Sequence, residues 1–147
     1  MKLSHYTFNE LSKQQLYDLL KLRSSIFIVE QKCIYQDIDN KDINAIHILV
    51  ESKNRIIGYS RILKKGVLYS NYCVIGRVLI DINERNNKLG EQLMRYSIKI
   101  VNDKFKKVPI KISAQSHLKI FYEKQGFIYK KEDYLEDGIP HCAMYLN

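Results

Sequence analysis

The sequence predicts one mixed α/β domain in which a mostly antiparallel sheet is flanked by helices. The chain has 147 residues and a mass of 17.4 kDa, the size of a single domain covering residues 1–147. Segments rich in β-branched and aromatic residues alternate with segments whose apolar residues follow the helical period. A strand, a helix and another strand follow one another in residues 72–114, an order that requires a crossover and predicts one parallel strand pair.

The first half of the sequence predicts a strand, a long helix and an antiparallel meander. Residues 3–8 form the first predicted strand, and a helix runs from the capping-box pattern of Ser12 and Gln15 to about Val29. Residues 30–44 are rich in Asp and Asn, so we expect an irregular segment there. Turn signals then separate three predicted strands, at residues 45–51, 56–64 and 72–82.

The second half predicts the crossover and the remaining strands. Apolar residues at the helical spacing predict a helix from residue 88 or 89 to about residue 103. Gly126 marks the end of a second helix. The other predicted elements are a strand at 110–114, that second helix at 116–124, and strands at 127–131 and 142–146.

Composition indicates a globular protein. Hydrophobic residues make up 46% and charged residues 27% of the chain, with six Gly and two Pro, which excludes a disordered or fibrous class. No apolar run approaches the roughly 20 residues that span a bilayer, and the first residues lack an apolar signal core, so we expect a cytoplasmic protein without membrane contact. Cys33, Cys73 and Cys142 are widely spaced, which predicts reduced thiols and no metal site.

The charge is distributed unevenly. The net charge is +8, yet residues 30–42 and 132–137 together hold half of the 16 acidic residues. This asymmetry suits an anionic ligand on one side and a cationic ligand on the other. The alternative is a lysine-rich surface that is simply solvated.

Two strand-to-helix junctions are candidates for chemistry. Residues 85–90 open the crossover helix, where free backbone N–H groups and the helix dipole favour phosphate, and Arg85 and Lys88 add positive charge. Tyr122 lies on the helix after the second parallel strand, so both junctions fall at the same sheet edge, and its phenol is a candidate acid. The alternatives are a turn that binds nothing and an aromatic residue that packs in the core.

Together these segments resemble the GNAT superfamily of N-acetyltransferases. The superfamily signature Gln/Arg-x-x-Gly-x-Gly/Ala stands here as Arg85-Asn86-Asn87-Lys88-Leu89-Gly90, with Lys88 in place of the first Gly and Asn86 where many relatives have Gly. Nearly the whole chain resembles the ElaA-like branch of this superfamily. The segments that carry this resemblance are Leu22 to Asp39 with Asp42, Ala45 and His47, then Ala114 to His117, and Asp137 to His141.

The resemblance implies direct transfer of an acetyl group from acetyl-CoA to an amine, in a sheet whose central parallel pair is splayed. It implies that the backbone of Val78, Leu79 and Ile80 holds the carbonyl oxygen and that Tyr122 protonates the departing thiolate. It also implies that the cofactor contacts Arg85, Asn86, Asn87, Lys88, Leu89, Gly90 and Ser116.

An alkyl amine with a pKa of about 10.4 is almost entirely protonated at neutral pH, so the reaction needs a base or a water relay. We favour Glu30 and His47, although His47 also fits a structural role on its strand. Cys33 beside Lys32 suggests an acyl-enzyme, which direct transfer does not require. The other candidate bases are Asp37, Asp39, His117 and His141. The alternative role is turn formation for the two aspartates and helix capping for His117.

We therefore expect an N-acetyltransferase that uses acetyl-CoA, needs no metal, and acts on a small-molecule or peptide amine. The alternative is a GNAT-fold binding or sensor module in which Asn86 and Lys88 weaken or abolish cofactor binding. Nucleic acid binding is not expected, because helix-turn-helix, zinc and aromatic-platform patterns are lacking. The sequence leaves open the amine and whether the chain forms a homodimer.

Overall fold

Seven strands and three α-helices make up the fold, and the computed structural model describes residues 1–147. The strands are β1 (Lys2–Thr7), β2 (Ile46–Ser52), β3 (Arg55–Leu63), β4 (Cys73–Ile80), β5 (Ile110–Gln115), β6 (Ile128–Glu136) and β7 (Ile139–Leu146). The helices are α1 (Lys13–Arg23), α2 (Leu89–Lys104) and α3 (Lys119–Lys124).

All seven strands join one sheet in the order β1-β2-β3-β4-β5-β7-β6. Every neighbouring pair is antiparallel except β4 and β5, which are parallel. The parallel pair is joined only at its start, where Cys73 pairs with Ile110 and Val74 with Lys111. The two strands therefore splay apart toward their C-terminal ends, which confirms the mixed sheet with a splayed parallel pair.

Helices cover both faces of the sheet. Leu93 and Met94 of α2 pack with Ile112 and Ala114 of β5 in the larger core cluster. Leu19 of α1 packs on the opposite face, in a smaller cluster with residues of β2, β3 and β4. Burial of apolar side chains on both faces fixes the sheet between the helices.

The first helix begins as predicted but changes pitch before its end. Ser12 accepts a hydrogen bond from the backbone N–H of Gln15, and the Gln15 side chain accepts one from the backbone N–H of Ser12, as the capping-box pattern predicts. After Arg23 the chain continues as a π-helical turn over Ser24–Glu30, whose residue Ile26 is buried. The predicted end near Val29 is thus close, while the wider last turn was not predicted.

The prediction was least accurate for the last hairpin. Strands were predicted at 127–131 and 142–146, whereas β6 extends to Glu136 and β7 begins at Ile139. Most side chains of β6 are exposed because it lies at the sheet edge, so it lacks the apolar alternation that marks a strand. The tight turn at Asp137 and Gly138, with φ of +50° and +76°, is a hairpin signal that the prediction missed.

Other boundaries differ by one to three residues from the prediction. Phe8 begins a short 3₁₀ turn and does not extend β1. Ile82 belongs to another 3₁₀ turn after β4, and α3 is preceded by a 3₁₀ turn at Ser116–Leu118. The last two of these turns follow the C-terminal ends of β4 and β5.

Candidate active site

A β-bulge lies in β4 beside the splay. Tyr59 pairs with Leu79 and Arg61 with Gly76, so Arg77 and Val78 together face the single residue Ser60. Arg77 has a φ of +51°, which places it in the left-handed region. Residues 31–44, which lie between the π-helical turn and β2, are called the 31–44 segment. The bulge directs the Arg77 side chain to this segment, where its Nε atom donates to Asp37 Oδ1 at 2.8 Å.

The bulge also determines which amides of β4 face the splay. The Asp81 N–H donates to the Ile57 carbonyl of β3 at 2.8 Å, whereas the Ile80 carbonyl accepts from Arg85 Nε at 3.0 Å on the other side. The Ile80 N–H lies on the same side as its carbonyl, away from β3. Strand alternation places the Val78 N–H on that side as well and directs the Leu79 N–H to β3.

The loop before α2 has the backbone shape that glycine usually provides. Asn86 and Lys88, the two departures from the signature, have φ of +74° and +58°. Lys88 is the N-cap of α2 and provides no side-chain cap, so the N–H groups of the first turn have no side-chain partner. An ideal Cβ at Gly90 would lie 3.4 Å from Phe121 Cζ, so the start of α2 closely approaches α3. This uncapped terminus fits an anion such as a diphosphate.

Arg85 and Glu30 contact each other. Arg85 donates from Nη1 and Nη2 to the two carboxylate oxygens of Glu30, at 2.9 and 3.0 Å, and from Nε to the Ile80 carbonyl. Glu30 also lines a cavity of about 500 Å³ between α1 and the β2–β3 turn. Arg85 was expected to bind the cofactor phosphates and Glu30 to be the base. In this structure the Arg85 guanidinium instead neutralises the Glu30 carboxylate.

His47 has a structural role in this fold, which corrects its predicted role as a base. The residue is fully buried, its Nε2 atom lies 2.8 Å from the Asp42 backbone carbonyl, and its Nδ1 atom lies 2.6 Å from the Tyr59 hydroxyl. A carbonyl only accepts, so Nε2 donates to it and Nδ1 accepts from the hydroxyl. Burial lowers the pKa of His47, so the ring is neutral with both nitrogens occupied.

The acidic segment at residues 30–42 is neutralised inside the protein. Its residues Asp37, Asp39 and Asp42 form ion pairs with Arg23, Arg61 and Arg77 at 2.7–3.3 Å. The expectation that this segment attracts a cationic acceptor is therefore wrong for these three carboxylates. The arginines come from α1, β3 and β4, which the spacing of acidic residues along the sequence does not reveal.

Tyr122 is buried on α3 with its hydroxyl unbonded. The residue is 7% exposed, and its ring centre lies 5.0 Å from that of Phe121 and 6.0 Å from that of Phe127. No side chain forms a hydrogen bond with its hydroxyl group. Burial raises the pKa of Tyr122 to about 12, so the phenol stays protonated at neutral pH. A protonated hydroxyl without a partner can donate to a ligand in the splay.

The remaining candidates occupy different positions. Ser116 begins the 3₁₀ turn that follows β5, and His117 in the same turn is exposed. Cys33 is a buried free thiol whose Sγ atom lies 3.7 Å from the Gln31 carbonyl, as expected for a structural cysteine. Cys73 and Cys142 are also buried, and burial raises the pKa of both thiols.

No group of three or more His, Cys, Asp or Glu side chains is arranged to hold a metal ion. No helix combines the length and the apolar character that membrane crossing requires.

Comparisons with known proteins agree on one family. The family described as "Acetyltransferase (GNAT) domain" matches residues 9–147. The chain is 43% identical to protein ElaA of Escherichia coli over 138 residues, 92% of this chain and 90% of that protein.

Solved structures give the same answer. The crystal structure of E. coli ElaA superposes with a TM-score of 0.93 at 39% identity, and an acyl-CoA N-acyltransferase from Pseudomonas aeruginosa with 0.93 at 34%, each over 100% of both chains. An aminoglycoside 6'-N-acetyltransferase complexed with coenzyme A shares the fold alone, with a TM-score of 0.74 at 15% identity over 99% of this chain and 96% of that chain.

Proposed function

The chain belongs to the GNAT acetyltransferase family, and we propose that it transfers the acetyl group of acetyl-CoA to a primary amine. The observation that carries this proposal is the splay between β4 and β5. Backbone N–H groups of β4 face this gap, the uncapped start of α2 lies at its edge, and Tyr122 lies on the helix that follows β5.

The donor phosphates are assigned to the loop before α2. The first-turn N–H groups of α2 and the positive end of its dipole favour a diphosphate, and the ammonium of Lys88 adds charge at the N-cap. Asn86, Asn87, Leu89 and Gly90 contribute backbone to the same loop, and Ser116 follows the facing strand. Arg85 contributes by holding this loop to β4 and to Glu30.

The chemistry requires one nucleophile, one oxyanion site and one acid. The amine nitrogen attacks the thioester carbonyl carbon, and the oxygen becomes negative as the C–N bond forms. We assign this oxygen to the N–H groups of Val78 and Ile80, and each such donor is worth about 3 kcal/mol of barrier. When the C–S bond breaks, the thiolate takes the proton of the Tyr122 hydroxyl. The nitrogen of the new C–N bond then loses its excess proton, which restores the Tyr122 hydroxyl through solvent.

A second candidate function follows from Lys88. A lysine with a φ of +58° carries a Cβ where the family signature has glycine, and that atom can hinder the approach of a phosphate to the backbone. If it does, the domain is a binding or sensor module with a weakened donor site.

Calorimetric titration with acetyl-CoA distinguishes the two functions. We expect a dissociation constant in the micromolar range for the wild-type protein. Lys88→Glu should weaken binding at least tenfold, because it places negative charge beside the diphosphate (about 1.4 kcal/mol).

Lys107→Glu is the matched control, since Lys107 also has a positive φ, of +63°, but follows the opposite end of α2. Equal weakening by both variants would show that net charge acts without a local site. Absence of binding by the wild-type protein at millimolar acetyl-CoA would reject the transferase and favour the binding module.

A further inference from the structure

Four polar side chains form a linked cluster on β5, β6 and β7. The Tyr134 hydroxyl donates to Ser113 Oγ, which donates to Glu136 Oε1 at 3.2 Å. The other oxygen of Glu136, Oε2, lies 3.4 Å from His141 Nε2. The Tyr134 ring stacks on the His141 ring at 6.2 Å with an interplanar angle of 20°. We call these residues the β5–β7–β6 cluster.

The cluster lies beside the splay, on the face away from α2 and α3. Ser113 and Gln115 alternate along β5 with Ile112 and Ala114, which are buried against α2 and α3. His141 is the register partner of Gln115, at the end of β5 that borders the splay. Gln115 Nε2 donates across the gap to Gln31 Oε1 at 3.3 Å.

No arginine or lysine forms an ion pair with Glu136, whereas Glu132 of the same face accepts a hydrogen bond from the Tyr145 hydroxyl. Glu30 is paired with Arg85, and the three aspartates of the 31–44 segment are paired with arginines. The His141 ring is the only basic group within 4 Å of the Glu136 carboxylate, and the Glu136 side chain is 48% exposed. A half-exposed carboxylate that lies next to hydroxyl groups and has no lysine or arginine partner is suited to bind an ammonium group.

The orientation of the His141 ring leaves one nitrogen available. Its Nδ1 atom lies 2.7 Å from the Ile139 backbone carbonyl and therefore donates to it. In the neutral ring Nε2 then carries the lone pair, which lies next to the Glu136 carboxylate. With a proton on Nε2, the ring would form an ion pair with the Glu136 carboxylate, whose Oε2 atom lies 3.4 Å away.

We propose that the Glu136 carboxylate binds the ammonium form of the acceptor and that His141 Nε2 receives its proton. This inference rests on the proposed acetyltransferase function and assigns its acceptor site to the β5–β7–β6 cluster. The acceptor class is a primary amine that is cationic at neutral pH.

The protons balance over the reaction. The ammonium group gives one proton to His141 Nε2, which later releases it to solvent. The neutral amine forms the C–N bond, the C–S bond breaks, and the second proton ends on the sulfur of CoA through Tyr122. The product amide keeps the third proton.

The other groups around the cluster do not replace this base. Tyr69, on the segment before β4, lies near Glu136. Burial raises the pKa of Tyr69, and the negative charge of Glu136 raises it further. Lys111 of β5 lies over the rings of Tyr69 and Tyr145, at 4.0 and 5.5 Å. Tyr134, Ser113 and Gln115 are neutral at physiological pH. The charged groups of this face are Glu136 and, around Tyr145, Lys111, Lys130 and Glu132.

Steady-state transfer from acetyl-CoA to 1,4-diaminobutane tests the inference. At about pH 7.5, Glu136→Gln should raise KM for the amine about tenfold with a smaller change in kcat, since an ammonium contact is lost. His141→Asn should lower kcat about tenfold to a hundredfold. Glu132→Gln is the matched control, because Glu132 lies on the same strand but bonds the Tyr145 hydroxyl at 2.8 Å.

Two conditions separate proton transfer from a structural role of His141. Raising the pH to about 9.5 makes the amine about a hundredfold more available in its neutral form, so the His141→Asn deficit should shrink to a few-fold. 2,2,2-Trifluoroethylamine is neutral at about pH 7.5 and should be acetylated equally by all three variants. A deficit that persists in both conditions would overturn the role of His141.

A binding measurement without donor keeps this inference distinct from the proposed function. The chain has four histidines, so the His141 ring signals can be assigned in NMR spectra by comparison with His141→Asn. 1,4-Diaminobutane should shift these signals in the wild-type protein and not in Glu136→Gln. An unchanged spectrum would overturn the acceptor site, even if the protein acetylates amines. A shift without turnover by a protein that binds acetyl-CoA would support the amine site and reject the transferase.

Discussion

Replacing Tyr122 with phenylalanine is expected to lower kcat by about a hundredfold to a thousandfold, the usual contribution of a positioned acid. The variant removes one hydroxyl that forms no bond within the protein, so packing against Phe121 and Phe127 should be preserved. Acetyl-CoA binding, measured by calorimetry, should be unchanged, because the acid acts on the leaving sulfur and not on the phosphates. Stopped-flow detection of free thiol then reports the chemical step.

The pH dependence of the transfer rate provides a second test of Tyr122. Burial raises the pKa of Tyr122 to about 12, so the phenol remains an acid throughout the range in which the protein is assayed. We therefore expect no loss of rate from Tyr122 ionisation between about pH 7 and pH 10. Tyr96→Phe is the control, since its hydroxyl bonds His5 far from the splay. Equal turnover of wild type and Tyr122→Phe would remove Tyr122 as the acid.

Much of the fold was predictable because periodicity reports burial. The meander of β2, β3 and β4 and the crossover through α2 follow from alternating and helical apolar patterns, and the structure confirms them. The β6–β7 hairpin was only partly predicted, because an exposed edge strand has little apolar pattern to detect. The π-helical turn at Ser24–Glu30 was not predicted, because its sequence continues the helical pattern of α1.

The candidate site was predictable where a local motif defines it. The loop of residues 85–90 and Tyr122 were both found from strand-to-helix junctions and from family resemblance, and their roles stay predictions. The pairing of charges was not predictable, because the partners are far apart in sequence. Arg77 and Asp37 are 40 residues apart, and Arg85 and Glu30 are 55 residues apart. Because the sequence does not reveal these ion pairs, it suggested that the acidic segment is a binding surface for cations.

Arg23, Arg61 and Arg77 form a largely buried network that anchors the 31–44 segment. Arg23 is fully buried, and its Nε and Nη1 atoms donate to Asp37 and Asp42 at 3.0 and 2.7 Å. Arg61 bonds Asp39 and Asp42, and Arg77 of the bulge bonds Asp37. Three arginines and three aspartates thus balance in charge, and the network connects α1 and the 31–44 segment to β3 and β4.

Replacing Arg23 with methionine is expected to lower the free energy of unfolding by about 3–5 kcal/mol, the cost of leaving buried partners without their cation. Asp42 would then depend on Arg61, and its second oxygen already has no hydrogen-bond partner. Denaturant unfolding followed by circular dichroism measures the change. Asp103→Asn is the control, because the exposed Lys99–Asp103 pair should contribute almost nothing.

Lowering the pH should reduce the difference in free energy of unfolding between wild type and Arg23→Met. Burial alone would raise the pKa of Asp42, but hydrogen bonds and charge from Arg23 and Arg61 outweigh it and lower the pKa. Arg61 in the same way lowers the pKa of Asp39 to about 2. A lowered carboxyl pKa stabilises the fold above the unfolded value of about 3.9 and ceases to do so as the pH falls through the folded value. The wild-type protein should therefore lose stability more steeply than Arg23→Met between about pH 5 and pH 2, and parallel losses would show that Arg23 acts through packing and not through these carboxylates.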